Sequence, residues 1–175
     1  IGTNELDEIV AACDGTLDGA HPQAPYLYHD LTPRVLSTPK HFAYIKIAEG
    51  CDHPCSFCVI PQFRGAFRSR RPESVVAEAR RLFEAGVREI NLVGQDTTCY
   101  GEDFGIRDGL ALLLESLARI ETPQEKWIRF LYAYPNKVTG RLLGTIAAWP
   151  SLVKYIDIPL QHASARVLRR MKRGG

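Results

Sequence analysis

Three closely spaced cysteines are the residues of this chain with the clearest capacity for chemistry. Cys51, Cys55 and Cys58 follow a C-x3-C-x2-C pattern that can wrap three thiolates around one corner of a cuboidal iron-sulfur cluster. An electron-transfer [4Fe-4S] cluster normally takes four cysteines, so three ligands leave one iron open. An open coordination position is the general mark of a metal site that acts on a bound ligand. The spacing therefore predicts a cluster with a chemical role.

A structural zinc site is the main alternative for the same loop. His53 lies between the first two cysteines, and three cysteines with one histidine are a known zinc ligand set. Zinc usually holds small domains together, whereas this loop follows a predicted buried strand of a chain with its own core, which favours the cluster. A disulfide would leave an odd thiol beside it. We interpret Cys13 and Cys99 as ordinary residues, because cysteine is often a small buried hydrophobe.

The composition indicates a globular chain without a bulk charge preference. Of its 175 residues, 45% are hydrophobic and 24% are charged, which is sufficient for one sizeable core. Lys and Arg outnumber Asp and Glu by only 22 to 20, so a nucleic-acid or membrane-surface role would need a local patch. No apolar run approaches the roughly 20 residues of a membrane span. The crowded cysteines favour a reducing compartment, and we expect a cytoplasmic location.

Four strand-helix repeats are predicted after residue 41. The strands are expected at 43–48, 88–95, 127–132 and 153–158, and the helices from Pro72 onward and at 110–120, 139–148 and 165–173. Gly86 occupies the position of a left-handed cap after the first of these helices. Because the strands are continuously apolar, we expect a parallel sheet that helices bury on both faces. The pattern predicts an α/β fold, either a barrel or an open doubly wound sheet.

Two other regions precede these repeats. Residues 1–14 place Leu6, Ile9 and Val10 on one helical face and are interpreted as the tail of an N-terminal domain. Residues 15–40 are rich in Pro, Gly and His without a sustained period, which is typical of a linker. The strand-helix domain is then expected to occupy residues 41–175.

Polar residues at the predicted strand ends are candidates for binding, because ligands collect at the carboxyl ends of parallel strands. They are Gln95, Asp96, Gln161 and His162. For each one alone, packing or internal hydrogen bonding is the commoner role. A basic loop with interleaved Phe63 and Phe67 either clamps a carboxylate or phosphate or is simply solvated. Its arginines are Arg64, Arg68, Arg70 and Arg71.

The cysteine loop resembles that of the radical SAM superfamily. The resemblance rests on the C-x3-C-x2-C pattern after the first strand of a strand-helix fold, with the aromatic Phe57 directly before the last cysteine. It implies that the open iron holds S-adenosylmethionine and that one electron from the cluster cleaves this cofactor to a 5'-deoxyadenosyl radical. The protein's part is to position and shield that radical. Phe57, Gln95 and Gln161 are then expected to contact the cofactor.

Further segments resemble the methylthiotransferase family, in its RimO branch. They are GCDH at 50–53, CVIP at 58–61, GQDTTCYG at 94–101, YIDIPLQH at 155–162 and RMKRGG at 170–175. This branch adds a methylthio group to the β-carbon of an aspartate in a small-subunit ribosomal protein. Its sister branch, MiaB, modifies tRNA and has two asparagines in place of Asp52 and His53. These two residues therefore point away from tRNA, which stays the alternative substrate. Substrate contacts are expected from Arg64, Arg68, Asp96 and His162.

The resemblance also implies partners and parts beyond this chain. The family uses a reductant such as flavodoxin and a second [4Fe-4S] cluster, held by three cysteines of an N-terminal domain for which this chain has no counterpart. The barrel of the superfamily normally has six strand-helix units. Residues 41–175 are therefore expected to form a partial radical SAM (βα) barrel, truncated at its C-terminal side. We expect this chain alone to cleave S-adenosylmethionine weakly or not at all.

Overall fold

A parallel β-sheet with packed helices forms the centre of the computed structural model, which describes residue 5 and residues 8–16 and 26–174. In chain order the elements are α1 (Ile9–Cys13), β1 (Phe42–Lys46), β2 (Ala48–Glu49), α2 (Ile60–Arg64), β3 (Arg68–Ser69), α3 (Pro72–Glu84), β4 (Glu89–Val93), α4 (Gly109–Ala118), β5 (Trp127–Phe130), α5 (Gly140–Ala148) and α6 (Ala165–Arg170). Short 3-10 turns lie at Glu102–Phe104 and Pro135–Lys137. The prediction of an α/β fold is confirmed.

The central sheet has the strand order β1-β4-β5, and both neighbouring pairs are parallel. The crossover from β1 to β4 contains α3, which packs against β1, and the crossover from β4 to β5 contains α4, which packs against β5. A short antiparallel ladder of β2 and β3 follows β1 and frames the cysteine loop. Because the strands are parallel, their carboxyl ends meet at one edge of the sheet, as a site at that edge requires.

The two faces of the sheet differ in polarity. Residues on the core face are buried and apolar, namely Ala43, Ile45, Ile90, Leu92, Ile128 and Phe130. The opposite face carries a cross-strand row of Tyr44, Asn91 and Arg129, in which Tyr44 is 43% exposed. The expectation that the strands are apolar on both faces is therefore wrong. Burial on both faces holds for β4, whose Asn91 is 6% exposed, but not for β1 at Tyr44.

The fourth predicted strand, at 153–158, does not form a regular strand. Leu152 makes an isolated parallel bridge with Ile128, and Val153 N–H donates to the Ile128 carbonyl at 2.9 Å. Farther along, Ala133 N–H donates to the Asp157 carbonyl at 2.9 Å. The segment thus runs beside β5 and its extension, but its hydrogen bonds are too sparse for a continuous ladder.

The helices begin and end close to their predicted positions, with one exception. Pro72 is the first residue of α3, and Gly86 follows that helix with φ of +91°, as a left-handed cap requires. The last helix, α6, ends at Arg170 instead of residue 173, because Lys172 adopts a left-handed conformation with φ of +50°. The pattern of apolar residues predicted neither α2 nor the two short strands β2 and β3.

A buried ion network connects the residue that follows β3 to α3. The Arg70 guanidinium lies 2.6 Å from one carboxylate oxygen of Glu78, and Arg34 lies 2.5 Å from the other. The side chains of Arg70 and Glu78 are only 3% and 9% exposed. Arg70 also donates to the Lys46 carbonyl at 3.0 Å and to the Ser74 hydroxyl at 3.0 Å. The interpretation of Arg70 as part of a ligand clamp or a solvated loop is therefore wrong, because its guanidinium is buried and paired with the Glu78 carboxylate.

The predicted N-terminal tail and linker fall partly outside the described residues, at 1–4, 6–7 and 17–25. Within the described part, 26–40 contains no helix or strand, and it contacts α3 through a hydrogen bond of 2.9 Å from Asp30 N–H to the Ser74 hydroxyl. Among the described residues, no helix combines the length and the apolar character needed to cross a bilayer.

Candidate functional site

The cysteine loop lies between β2 and α2, at the carboxyl edge of the sheet. Backbone hydrogen bonds hold it at both ends: Cys51 N–H donates to the Gly65 carbonyl at 3.2 Å, and Cys58 N–H donates to the Cys55 carbonyl at 3.1 Å. The side chain of Asp52 also accepts a hydrogen bond of 2.9 Å from Phe67 N–H. Hydrogen bonds within the protein therefore fix part of the loop conformation without a bound metal.

Gly50 sets the entry of the chain into this loop. Its φ is +80°, and a Cβ atom added there would collide with the carbonyl oxygens of Ala66 and, at 2.5 Å, of Gly65. We expect Gly50→Ala to lower the free energy of unfolding by about 2–5 kcal/mol, through backbone strain and the steric clash. The urea midpoint of unfolding measures this change.

The matched control for that substitution is Gly144→Ala in α5. A Cβ atom at this position would meet nothing within 4 Å, and the backbone is helical. Because alanine favours a helix over glycine, Gly144→Ala should raise the free energy of unfolding by about 0.5–1 kcal/mol. Equal urea midpoints for the two variants would contradict the close packing of Gly50.

One cavity brings most of the predicted site residues together. Its lining includes the three cysteines of the motif and residues that follow β1, β4 and β5. The lining residues are Cys51, His53, Cys55, Phe57, Cys58, Ile60, Gln95, Asp96, Tyr132, Ala133, Tyr134, Pro159, Gln161 and Arg173. A second cavity shares Cys51, His53 and Asp96 with the first. The His53–Asp96 pair therefore lies at the boundary between the two.

The three cysteines are unpaired thiols at the cavity wall. Cys51 and Cys55 are buried, Cys58 is half-buried, and burial raises the pKa of the Cys51 thiol. Within the described part of the chain, the three sulfur atoms do not all lie within 4.8 Å of one another. Two thiolates on one tetrahedral zinc ion would be about 3.8 Å apart, given Zn–S bonds of about 2.3 Å. The wider spacing fits a cluster whose cysteines bind separate irons better than a single zinc ion.

The side chain of His53 contacts Asp96 and Tyr134. Its Nε2 atom lies 2.6 Å from the Asp96 carboxylate, and its ring stacks on Tyr134 with 3.7 Å between the ring centroids and 10° between the planes. Among the described residues, His53 does not form a close group of possible metal ligands with the motif cysteines, as the zinc alternative with His53 as the fourth ligand would require. The His53 ring instead connects the cysteine loop to the residues that follow β4 and β5.

Asp96 accepts hydrogen bonds from three side chains and is almost fully buried. Burial acts to raise its pKa, but hydrogen bonds from His53, Thr98 and Cys99 outweigh it and hold the pKa below the usual range. The Cys99 thiol donates to the Asp96 carboxylate at 3.1 Å, and burial next to that carboxylate raises the pKa of Cys99 far above its usual value. Separations of 2.6 and 3.1 Å are hydrogen bonds, so His53, Asp96 and Cys99 satisfy one another without a metal.

Two buried polar atoms at the cavity have no hydrogen-bond partner among the described residues. They are the side-chain oxygen of Gln95 and the Nε atom of Arg173. Such unpaired groups are costly and rare in proteins, and they indicate a bound group that completes their hydrogen bonding. The residues present therefore fit an anionic cluster and a polar cofactor in the same cavity.

The other predicted contacts divide between this cavity and the rest of the structure. Gln161 lines the cavity with a left-handed backbone, φ +67°, and Phe57 lines it with its side chain half exposed. Arg64 lies 3.8 Å from the Glu49 carboxylate and lines a different cavity. Arg68 is part of β3, and His162 is exposed and accepts a hydrogen bond of 2.8 Å from Ser164 N–H. The roles of Phe57 and Gln161 in cofactor binding stay predictions. The same holds for the substrate-binding roles of Arg64, Arg68 and His162.

Tyr134 and Arg173 are site residues to which the sequence reasoning gave no role. Tyr134 lies in the segment that follows β5, and its position after a predicted strand is the signal that indicates it. Arg173 comes from the far end of the chain, and its guanidinium carbon lies 4.5 Å from the centre of the Tyr134 ring. Only the resemblance of the RMKRGG segment pointed to this region, because spacing along the chain does not show which loop a distant residue contacts.

The fold, the cysteine loop and comparison with known proteins identify the class. The family model described as "Radical SAM superfamily" matches residues 45–175, and the chain belongs to this superfamily. More particularly, it is 75% identical over 174 residues to the "Ribosomal protein uS12 methylthiotransferase RimO" of Solibacter usitatus (strain Ellin6076) and 70% identical over 158 residues to that of Koribacter versatilis (strain Ellin345). These alignments cover 99% and 90% of this chain but 37% and 31% of the two relatives. The chain thus spans about a third of the length of these curated relatives.

Solved structures share the fold at low sequence identity. The cobalamin-dependent S-adenosylmethionine radical enzyme OxsB, with aqua-cobalamin and S-adenosylmethionine bound, matches with a TM-score of 0.63 and 13% identity over 98% of this chain and 28% of that chain. The radical S-adenosylmethionine methyltransferase TsrM from Kitasatospora setae, with cobalamin and a [4Fe-4S] cluster bound, matches with a TM-score of 0.60 and 19% identity over 75% of this chain and 24% of that chain. These matches show the same fold. The family model confirms the superfamily assignment made from the cysteine motif.

Proposed function

We propose that this chain is the catalytic part of a radical SAM methylthiotransferase that modifies an aspartate of ribosomal protein uS12. The observation that carries the proposal is the cavity in which three unpaired cysteines meet the unsatisfied side-chain oxygen of Gln95. The high identity to two uS12 methylthiotransferases supports the substrate. A zinc-stapled binding module is disfavoured, because the motif thiols and His53 do not form one close ligand group among the described residues.

In this proposal, Cys51, Cys55 and Cys58, which line the cavity, would hold a [4Fe-4S] cluster, and S-adenosylmethionine would bind in the same cavity. When bound, the cluster and this cofactor together supply the radical chemistry that breaks an unactivated C–H bond. The protein residues bind and orient them. Gln95 offers an unpaired amide oxygen to a donor on the cofactor, and Phe57 and Gln161 flank the same cavity.

The substrate contacts are proposed from the charged residues of the basic loop and of the strand ends. An aspartate substrate brings a carboxylate, and the arginines of the basic loop, Arg64 and Arg68, have the planar donor groups that match it. Asp96 is already occupied by three hydrogen-bond donors, so its part is to hold His53 in place beside the substrate. His162 is exposed near Gln161, where it can meet a protein partner.

Other parts of the assignment are proposals that the chain supports less directly. A reductant such as flavodoxin would supply electrons, and a second [4Fe-4S] cluster would lie outside the residues of this chain. We also propose a cytoplasmic location, where ribosomal proteins are present, and a division into a tail at 1–14, a linker at 15–40 and a partial barrel at 41–175. The tRNA alternative is not favoured, because both named relatives act on a ribosomal protein.

We expect Gln95→Ala to weaken binding of S-adenosylmethionine by about 5- to 30-fold, because about 1–2 kcal/mol is lost with one hydrogen bond to the cofactor. The dissociation constant of the cluster-loaded chain, measured by equilibrium dialysis, tests this. The control is Gln62→Ala, on the exposed surface of α2, which should leave the affinity unchanged. Equal affinities of parent and Gln95→Ala would remove this residue from the cofactor site.

The experiment that tests the proposed function uses the longest natural protein that contains this sequence, loaded with clusters under anaerobic conditions. It is incubated with a reductant and S-adenosylmethionine, and with either small ribosomal subunits or tRNA. We expect uS12 to gain the mass of one methylthio group in exchange for one hydrogen, located on an aspartate by fragmentation. A mass gain confined to tRNA would overturn the substrate, and no gain on either would overturn the reaction.

A further inference from the structure

Arg173 lies beside the cysteine loop although it is far from it in sequence. We propose that Arg173 tunes the reduction potential of the cluster by fixing a positive charge against the sulfur of Cys55. This inference rests on the proposed function, because it requires the cluster to be held by the cysteine loop. It adds to that function a residue that favours the electron-rich state of the cluster without touching the substrate.

The guanidinium of Arg173 is fixed on three sides. One terminal nitrogen lies 3.9 Å from Cys55 Sγ, and the other donates to the Pro159 carbonyl at 2.5 Å. The guanidinium carbon lies 4.5 Å from the centroid of the Tyr134 ring, within the range of a cation–π interaction. Tyr134 is itself stacked on His53. The charge is therefore placed by a rigid stack that includes a residue of the cysteine loop.

The backbone turn after α6 aims Arg173 at this loop. Lys172 N–H donates to the Arg169 carbonyl at 3.1 Å, and Arg173 N–H donates to the Leu168 carbonyl at 3.0 Å. With the left-handed φ at Lys172, these two bonds form a Schellman motif that ends the helix and reverses the chain. In addition, Ser56 N–H donates to the Met171 carbonyl at 2.8 Å, so the turn is attached directly to the cysteine loop.

Within the described residues, the charge of Arg173 has no carboxylate partner. Arg173 takes part in none of the ion pairs among the described residues. It is nevertheless buried, with 8% of its surface exposed. Its Nε atom also lacks a hydrogen-bond partner in that part of the chain. Burying an unpaired charge is unfavourable, so a second charge of opposite sign is expected next to it. A cluster bound by three thiolates is such an anion, and Cys55 is the ligand nearest to the cation.

Reduction of the cluster adds one electron and breaks no bond in the protein. A fixed cation close to a ligand sulfur stabilises the more negative state, and charges and hydrogen bonds at the sulfurs are known determinants of cluster potentials. Removing the charge should shift the reduction equilibrium toward the oxidised cluster by about tenfold, which corresponds to about 59 mV for a one-electron couple. Other arginines of the same helix should have little effect, because their charges are exposed and screened.

The test is a redox titration of the reconstituted chain in the absence of S-adenosylmethionine and substrate, with an electrode and mediators as the electron source. Visible absorption and the EPR signal of the reduced cluster report the midpoint. The variants are Arg173→Gln, which removes the charge, and Arg173→Lys, which keeps it. Arg170→Gln, from the exposed end of α6, is the matched control.

The inference predicts a lower potential for Arg173→Gln, a smaller shift for Arg173→Lys and the parent value for Arg170→Gln. If Arg173→Gln loses the cluster while Arg173→Lys retains it, the charge is again shown to be required. Equal potentials in parent and Arg173→Gln overturn the inference, as does equal loss of the cluster in the Gln and Lys variants, which indicates a purely structural contact. A parent chain that binds no cluster overturns the proposed function as well, whereas a loaded parent with an insensitive potential overturns this inference alone.

Discussion

We expect Cys55→Ser to abolish iron binding. Cys55 is a buried, unpaired thiol on the cavity wall, between the other two cysteines of the motif. A cluster that already has only three protein ligands cannot lose one and remain fixed, and a serine hydroxyl is a poor substitute for a thiolate. After anaerobic reconstitution with iron and sulfide, the parent should be brown with about four irons per chain. The variant should show neither the visible absorption nor the iron.

Cys99→Ser and Cys13→Ser are the controls for this result. Cys99 is close to His53 and Asp96, but its thiol is a hydrogen-bond donor that a serine hydroxyl can replace. Cys13 is exposed in α1. Both variants should keep the iron content and the absorption of the parent. If Cys55→Ser retained the parent's iron while Cys99→Ser lost it, the ligand assignment would have to move to the His53 side of the cavity.

Glu78→Ala is expected to cause the largest loss of stability among the substitutions considered. Glu78 pairs with both Arg70 and Arg34, and its removal leaves the buried guanidinium of Arg70 without a countercharge. Breaking a buried ion pair on one side costs about 3–5 kcal/mol, because the remaining charge stays desolvated. The urea midpoint, at an unchanged slope, measures the loss of the free energy of unfolding.

The matched control is Glu84→Ala, an exposed acidic residue at the end of the same helix. Exposed substitutions of this kind change stability by about 0.5 kcal/mol or less. Similar midpoints for the Glu78 and Glu84 variants would show that the Arg70–Glu78 network is not structural. In that case, Arg70 would again become a candidate for substrate binding.

The regular elements of this fold were predictable because their apolar spacing is local. The helix that begins at Pro72 and the strands at β1, β4 and β5 were predicted within a few residues of their observed bounds. The segment at 153–158 was also predicted as a strand, yet it forms only a few hydrogen bonds, next to an isolated bridge at Leu152. Apolar residues indicate burial, but regular pairing also needs a partner strand in register, which hydrophobicity alone does not reveal.

The cysteine motif was predictable for a similar reason, since its chemistry is contained in eight consecutive positions, 51–58. The edge of the sheet at which it lies followed from the parallel topology, and Gln95, Asp96 and Gln161 indeed line the same cavity. Their roles there stay predictions. The contacts of His53 with Asp96 and Tyr134 were not predictable, because they join three separate loops whose side-chain directions depend on packing.

Charges were the least predictable part of the structure. Arg70 and Arg68 are two residues apart in one basic loop, but Arg70 points into the fold and pairs with Glu78. Arg173 appeared in the sequence only as one of several basic residues after α6, whereas its guanidinium is placed against Tyr134 and Cys55. In both cases, the turn of the backbone decides whether a long cationic side chain is solvated or buried.

The measurement that tests the central claim most directly is EPR spectroscopy of the reduced chain with and without S-adenosylmethionine. The account predicts the signal of a reduced [4Fe-4S] cluster that changes when the cofactor is added. With S-adenosylmethionine labelled with 15N at its amino group, the electron spin should couple to the label, because one iron is open to that group. A chain that instead binds one zinc ion tightly and no iron, or a cluster signal that the cofactor leaves unaltered, would contradict the account.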